Sequence, residues 1–145
     1  MNGREGYAAG AEVGRNVLVV ALYVVSPSEV TEAGRVLVVA PASYFGPGLW
    51  MSDEDTAHVR ANERAAVVVD LLGRRGVHAE GRIGDADPLR AIADALASFP
   101  ADEIVIAIPP QLSRQRADEL RQAAVRRFGL PVRRATAADP LPRAA

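Results

Sequence analysis

The chain has 145 residues, of which 49% are hydrophobic, so it is long enough for one core and too short for two of ordinary size. Its formal net charge of −1 provides no global field that would attract nucleic acid or an anionic membrane, and neither is expected as a partner. The absence of cysteine excludes a disulfide, a thiolate nucleophile and a cysteine metal site. A cytoplasmic location is the default expectation.

The two ends of the chain differ in composition from its middle. Residues 1–14 are rich in Gly, Ala and charge, and residues 137–145 contain two prolines, so we predict a flexible leader and a flexible tail. A single domain is predicted over residues 15–136. The apolar run at residues 17–25 is too short to span a bilayer and lacks a cleavage pattern, which favours a buried strand over a signal peptide.

Between the ends, strand patterns alternate with helix patterns in chain order. Strands are predicted at residues 17–21, 36–40, 77–83, 103–108 and 131–136. Long helices are predicted at residues 52–75, 88–99 and 113–128, with Gly76 and Gly129 as stops for the first and last. This alternation predicts an α/β fold with three layers, in which a doubly wound, parallel, five-stranded, Rossmann-like sheet is covered by helices.

The connection between the first two strands is unusually short. Only residues 22–34 separate them, which is close to the minimum for a parallel crossover. We therefore expect either a helix of about two turns capped by Ser26 or a different position for the first strand.

The segment GDADPL, residues 84–89, has the composition of a strand-to-helix turn. Gly84 permits a positive φ, Asp87 is a good N-cap, and Pro88 suits the first helical position. Ligands usually bind at the carboxyl ends of strands in open α/β sheets, which makes this turn a candidate site. Asp85 and Asp87 could alternatively act as a carboxylate pair, but turn formation and capping explain both without chemistry.

Catalytic and metal-binding patterns are scarce. His58 is predicted to face solvent, and His78 has only Glu80 nearby at a ligand spacing, so neither a metal site nor a catalytic residue is predicted. No serine lies in a G-x-S-x-G setting, and a hydrolase elbow is not supported. The aromatic residues Tyr44, Phe45 and Trp50 either anchor a loop on the core or cover a pocket or dimer surface.

Five segments in this order resemble the universal stress protein family, and within it a set of small actinobacterial-type single-domain members. They are VLVVAPA (residues 36–42), SDEDTAHVRANERA (52–65), GVHAEGRIGDADPLRAIADAL (76–96), FPADEIVIAIPP (99–110) and FGLPV (128–132). The resemblance implies a five-stranded α/β fold, frequent homodimers, and a role in stress response rather than a fixed reaction.

The family resemblance also implies two places to look for an ATP site. Members that bind ATP carry an acidic residue just past the first strand and a G-x2-G-x9-G-[ST] segment after the fourth. Here residues 20–22 contain no carboxylate, and residues 108–113 read IPPQLS, with no glycine between Gly84 and Gly129. Because proline has no N–H to offer a phosphate, we predict that the usual ATP site is lost and that no cofactor is held, with ATP or AMP disfavoured.

A substitute ligand site remains an alternative. Ser113, Arg114 and Arg116 lie near the start of the last helix, where an anion is favoured, although a solvated surface is the preferred explanation of these arginines. The residues predicted to contact a ligand are Ala40, Gly84, Asp85, Ser113, Arg114 and Arg116.

These observations predict a non-catalytic, stress-associated domain that forms a homodimer through the last strand or binds an unidentified protein or small molecule. A sensor that binds an anion or adenine nucleotide at the strand ends is the alternative, and an enzyme of the wider nucleotide-binding α/β group is the third interpretation. The non-catalytic domain is preferred over the sensor because the G-x2-G-x9-G-[ST] segment is missing.

Overall fold

The computed structural model describes residues 15–24, 34–42 and 54–135. Within them the chain forms five strands and three helices. The strands are β1 (Asn16–Ala21), β2 (Arg35–Pro41), β3 (Ala79–Gly84), β4 (Glu103–Ala107) and β5 (Val132–Ala135). The helices are α1 (Glu54–Arg74), α2 (Pro88–Ser98) and α3 (Arg114–Phe128).

The five strands form one parallel sheet in the order β3-β2-β1-β4-β5. The register places Leu18 opposite both Leu37 and Ile104, so β1 is the central strand. The chain moves from β1 outward to β3 and then crosses to β4 on the other side of β1. The direction of winding therefore reverses between β1 and β4, which makes the carboxyl ends of these two strands the topological switch point.

Both faces of the sheet are covered by helices, and each face has its own core. The cluster on one face joins β1 and β2 to the inner side of α1 through Ala61, Ala65, Val68 and Leu72. The cluster on the other face joins the alternate strand residues to α2 and α3 through Ala91, Ile92, Ala95, Ala117 and Ala124. Burial on both faces explains why β1, β2 and β4 are continuous apolar runs, and the predicted three-layer α/β class is confirmed.

Local capping sets several helix ends where the sequence predicts them. Asp87 caps α2 by accepting a hydrogen bond from Leu89 N at 3.0 Å, and Pro88 occupies the first helical position. Ser113 caps α3 by accepting from Arg116 N at 3.1 Å. Gly76 after α1 and Gly129 after α3 have φ values of +83° and +67°, the left-handed conformation that favours glycine.

One predicted strand differs from the structure. The strand predicted at residues 77–83 begins two residues later, and its four central residues are exposed because β3 is an edge strand. On α2 the buried residues are Ala91, Ile92 and Ala95, and Leu89 and Leu96 are partly buried beside them. The predicted Ser26 helix, the predicted start of the first long helix at residue 52 and the Tyr44, Phe45 and Trp50 cluster lie outside the described residues.

A charged cluster closes the amino end of the sheet. Glu103, the first residue of β4, is 3% exposed, and its Oε2 pairs with Arg133 Nε on β5. Its Oε1 lies 3.0 Å from Arg15 Nη2, close enough for an ion pair but not aligned as a hydrogen bond. Because a buried carboxylate needs compensating charge, this cluster links β1, β4 and β5 at the end of the sheet opposite the switch point.

Candidate functional site

A cavity of about 300 Å³ lies at the switch point, within the range of small-molecule pockets. Its described lining comes from the segment after β1, from α1 and from the loop after β4. We call it the switch-point cavity; it is lined by Leu22, Tyr23, Val24, Arg60, Glu63, Arg64, Val67, Pro109 and Gln111. A second hollow of about 350 Å³ shares Arg60 and Glu63 and extends along α1 to Asp55. The two hollows therefore adjoin on this side of the helix.

Arg64 ties α1 to the ends of two strands beside this cavity. Its Nε donates to Ala21 O at 3.0 Å and its Nη2 donates to Pro41 O at 2.7 Å. These carbonyls end β1 and β2, where no further ladder hydrogen bonds are available to them. The guanidinium therefore holds α1 in register with the carboxyl edge of the sheet and forms part of the cavity wall.

Arg64 is partly buried beside a second guanidinium group. Burial lowers the pKa of Arg64 below its ordinary value, and the nearby Arg60 guanidinium lowers it further. Both causes disfavour the charged form of Arg64, and an anion close to its guanidinium would favour that form. Glu63, on the same helix, provides the one carboxylate among the described residues that line the cavity.

The loop after β4, residues 108–113, has few amide hydrogens to offer a ligand. Pro109 and Pro110 have none. Ile108 N donates to Ala135 O at 3.0 Å, and Leu112 N donates to Pro109 O at 3.1 Å. Four of the six residues in this loop therefore have no free N–H to donate to a phosphate. Just past β1, Leu22 is 3% exposed and packs in the core cluster on the α2 and α3 side.

Three of the predicted ligand residues lie at the β2 and β3 end of the sheet. Ala40 is fully buried in the core cluster on the α1 side, which leaves its side chain no solvent-facing surface. Gly84 ends β3 opposite Pro41, and Ala42 N donates to Gly84 O at 3.0 Å. Asp85 is exposed, and its Oδ1 accepts from Asp87 N at 2.9 Å.

The explanation predicted for Gly84 is wrong. Its φ is not positive, since Gly76 and Gly129 are the positive-φ glycines of the described residues. A Cβ at Gly84 would instead stand 2.7 Å from Val39 Cγ2 and 2.8 Å from Ala91 Cβ. Glycine is required here because β3 and α2 approach each other too closely for any side chain.

The other three predicted residues, Ser113, Arg114 and Arg116, are exposed at the start of α3. The Ser113 hydroxyl already accepts the Arg116 amide hydrogen. α3 follows β4, and the sheet order places β1 and β2 between β4 and β3. The Ser113 group and the Gly84 group are therefore about three strand spacings apart, or ~14 Å, and do not form one site.

None of these six residues lines the switch-point cavity. The two segments that the family resemblance indicates, residues 20–22 and 108–113, contribute Leu22, Pro109 and Gln111 to its lining, but the side chains from α1 were not predicted. The sequence of the long helix carries a small signal: Arg60 and Arg64 have an i,i+4 spacing, and like charges at this spacing destabilise an isolated helix.

The two histidines are exposed, as predicted for His58. Across residues 15–24, 34–42 and 54–135, no group of three or more His, Asp or Glu side chains is arranged to hold a metal ion. In the same part of the chain, no helix is long and apolar enough to cross a membrane.

The fold and the cavity together define an open, doubly wound α/β domain with a hollow at the switch point. Solved structures of universal stress protein family members share this fold. One, from Arabidopsis thaliana with AMP bound, has a TM-score of 0.55 at 13% identity, covering 83% of this chain and 90% of that chain. Another, from Burkholderia pseudomallei, has a TM-score of 0.51 at 19% identity, covering 82% and 93% respectively. No family model and no curated protein match the sequence.

Proposed function

We propose that this chain is a non-catalytic, stress-response-associated domain of the universal stress protein type, without the standard ATP site of that family. The proposal places it in the cytoplasm. The fold shared with solved members of the family supports the type. The loss of the ATP site rests on one observation, the loop after β4, in which two prolines and two internally bonded amides replace a phosphate-binding loop.

Isothermal titration of the full chain with Mg-ATP and with AMP tests this proposal. We expect no saturable heat with ATP at micromolar concentrations, because the loop can donate few hydrogen bonds to the β- and γ-phosphates. A micromolar or tighter dissociation constant for ATP would overturn it. AMP is the matched ligand, because it keeps the adenosine end and lacks the two outer phosphates.

We also propose a homodimer formed through β5. This strand is one edge of the sheet, and strand edges in stable proteins are usually covered or paired. Arg133 and Arg134 are both exposed on β5, which makes it a more polar edge than is usual for a dimer. Light scattering at tens of micromolar protein tests the assembly, and a monomer under these conditions would contradict it.

The switch-point cavity favours a second candidate function, a small-molecule sensor. The cavity lies where open α/β sheets place their ligands, and it is bounded by side chains from three separate segments. Mass spectrometry of small molecules released from the natively purified protein tests this candidate. A stoichiometric ligand would support the sensor, and its absence together with no response in the titrations described below would reject it.

A further inference from the structure

The switch-point cavity combines an apolar wall with charged groups at one side. Leu22 and Val24 follow β1, Val67 lies on α1, and Pro109 follows β4. The Val67 side chain is 40% exposed, although it sits beside the buried Val68. An apolar ligand that covered Val67 and the partly exposed Val24 would remove hydrophobic surface from water, which is the main source of affinity in pockets of this kind.

The charged groups of the described lining all belong to α1. Arg60 and Arg64 contribute two positive charges and Glu63 one negative charge, so the described lining carries a net charge of +1. The repulsion between the two guanidinium groups, which contributes to the lowered pKa of Arg64, would fall when an anion binds. Guanidinium groups also donate paired hydrogen bonds to planar anions.

The balance of charge favours a monovalent anion. Glu63 repels any anion, and a phosphate monoester, which carries about −1.5 to −2 charges at neutral pH, is repelled more strongly than a monovalent anion. A carboxylate carries a single charge and matches the fork of a guanidinium. The arginines share the cavity with Pro109 and Gln111 of the loop after β4, but four of the six residues of that loop have no free N–H to donate to a triphosphate.

We infer that the switch-point cavity binds a small amphipathic carboxylate, with its charged group at Arg60 and its apolar body against Val24 and Val67. The Gln111 side chain at the rim offers an additional neutral hydrogen-bonding group. This inference rests on the second candidate function, a small-molecule sensor, and it specifies the chemical class that the sensor detects.

Titration of the full chain with hexanoate and 3-phenylpropionate tests the inference, with 3-phenylpropionamide, phenyl phosphate and AMP as comparison ligands. Saturation-transfer NMR and calorimetry report binding. We expect at least one carboxylate to bind with a dissociation constant of about 1 mM or tighter, and the amide to bind at least about tenfold more weakly, since it lacks the charge-assisted hydrogen bond.

Two variants locate the binding. Arg60→Gln removes the charge and Val67→Glu places a negative charge on the apolar wall, and each should weaken carboxylate binding at least about tenfold. Arg74→Gln is the matched control, because Arg74 lies on the same helix, pairs with Asp70 at 3.0 Å and does not line the cavity. Thermal unfolding of every variant verifies that it is folded, and the two cavity variants are independent of each other.

Several results would overturn the inference. In the ligand comparison, these results are no binding of either carboxylate at several millimolar, equal binding of the acid and the amide, or tighter binding of phenyl phosphate than of either carboxylate. In the variants, the result is an unchanged affinity for the carboxylate in both Arg60→Gln and Val67→Glu. Saturable AMP binding that Val67→Glu abolishes, with no carboxylate binding, would reject the carboxylate class while leaving the sensor function in place. The failure of the inference is thereby separable from the failure of the sensor function.

Discussion

Gly84 at the end of β3 lies directly against Ala91 of α2, and a Cβ on this glycine would be 2.8 Å from the Ala91 Cβ. The close approach follows from the small residues on the buried side of α2, where Ala91 and Ala95 face the sheet. It fixes the path of the turn that connects β3 to α2. The turn is therefore constrained by packing at its first residue and by capping at Asp87.

The first prediction concerns this packing. Gly84→Ala should destabilise the domain by about 1–3 kcal/mol, because the added methyl group overlaps both Ala91 and Val39. Urea unfolding measures the change. Gly73→Ala is the control: Gly73 lies within α1 with no neighbouring atom within 4 Å of the added Cβ, so this substitution should be stabilising by up to about 1 kcal/mol. Similar effects of the two substitutions would contradict the packing argument.

The second prediction concerns the cap of α2. Asp87→Ala removes the acceptor of the Leu89 amide hydrogen and should cost about 0.5–2 kcal/mol. Asp85→Ala should cost less, because the exposed Asp85 carboxylate supports the turn through one bond to Asp87 N and caps no helix. Thermal unfolding of both variants checks this order, provided that the transitions are two-state. If Asp87→Ala leaves stability unchanged and abolishes ligand binding, then the carboxylate is a binding group.

The third prediction concerns Arg64. Arg64→Met keeps most of the apolar stem but leaves the Ala21 and Pro41 carbonyls without their guanidinium donor. The substitution should lower the free energy of unfolding by about 1.5–3 kcal/mol. Arg74→Met is the control on the same helix. Its exposed i,i+4 pair with Asp70 should be worth no more than about 0.5 kcal/mol. Chemical unfolding that ranks the two variants equally would refute the proposed anchoring of α1.

The fourth prediction concerns the buried carboxylate at the other end of the sheet. Arg133→Met removes one of the two cations paired with Glu103 and should cost about 1–2 kcal/mol, a value reduced because the Arg133 side chain is half-exposed. Arg134→Met, at the next position of β5, should change stability by less than about 0.5 kcal/mol. The free energy of unfolding of both variants is measured in urea, without guanidinium chloride. A larger effect at Arg134 would show that Glu103 does not depend on this partner.

The sequence by itself determines the fold class and the local signals at the element ends. Strands buried on both faces are mostly continuous apolar runs, so residues 36–40 and 104–107 are recognisable without any tertiary information. The caps at Asp87 and Ser113 and the stop at Gly129 are equally readable, because each depends on residues within one turn of the helix end.

The tertiary structure alone decides which distant residues meet. Arg64 bonds to a carbonyl 43 positions earlier, and Glu103 is paired with a guanidinium 30 positions later. Gly84 reads locally as a turn glycine, yet its requirement comes from contact with α2 and β2. The switch-point cavity likewise combines three separate segments. Hydrophobic periodicity reports which side of an element is buried, whereas these contacts depend on strand order and register, which no local pattern specifies.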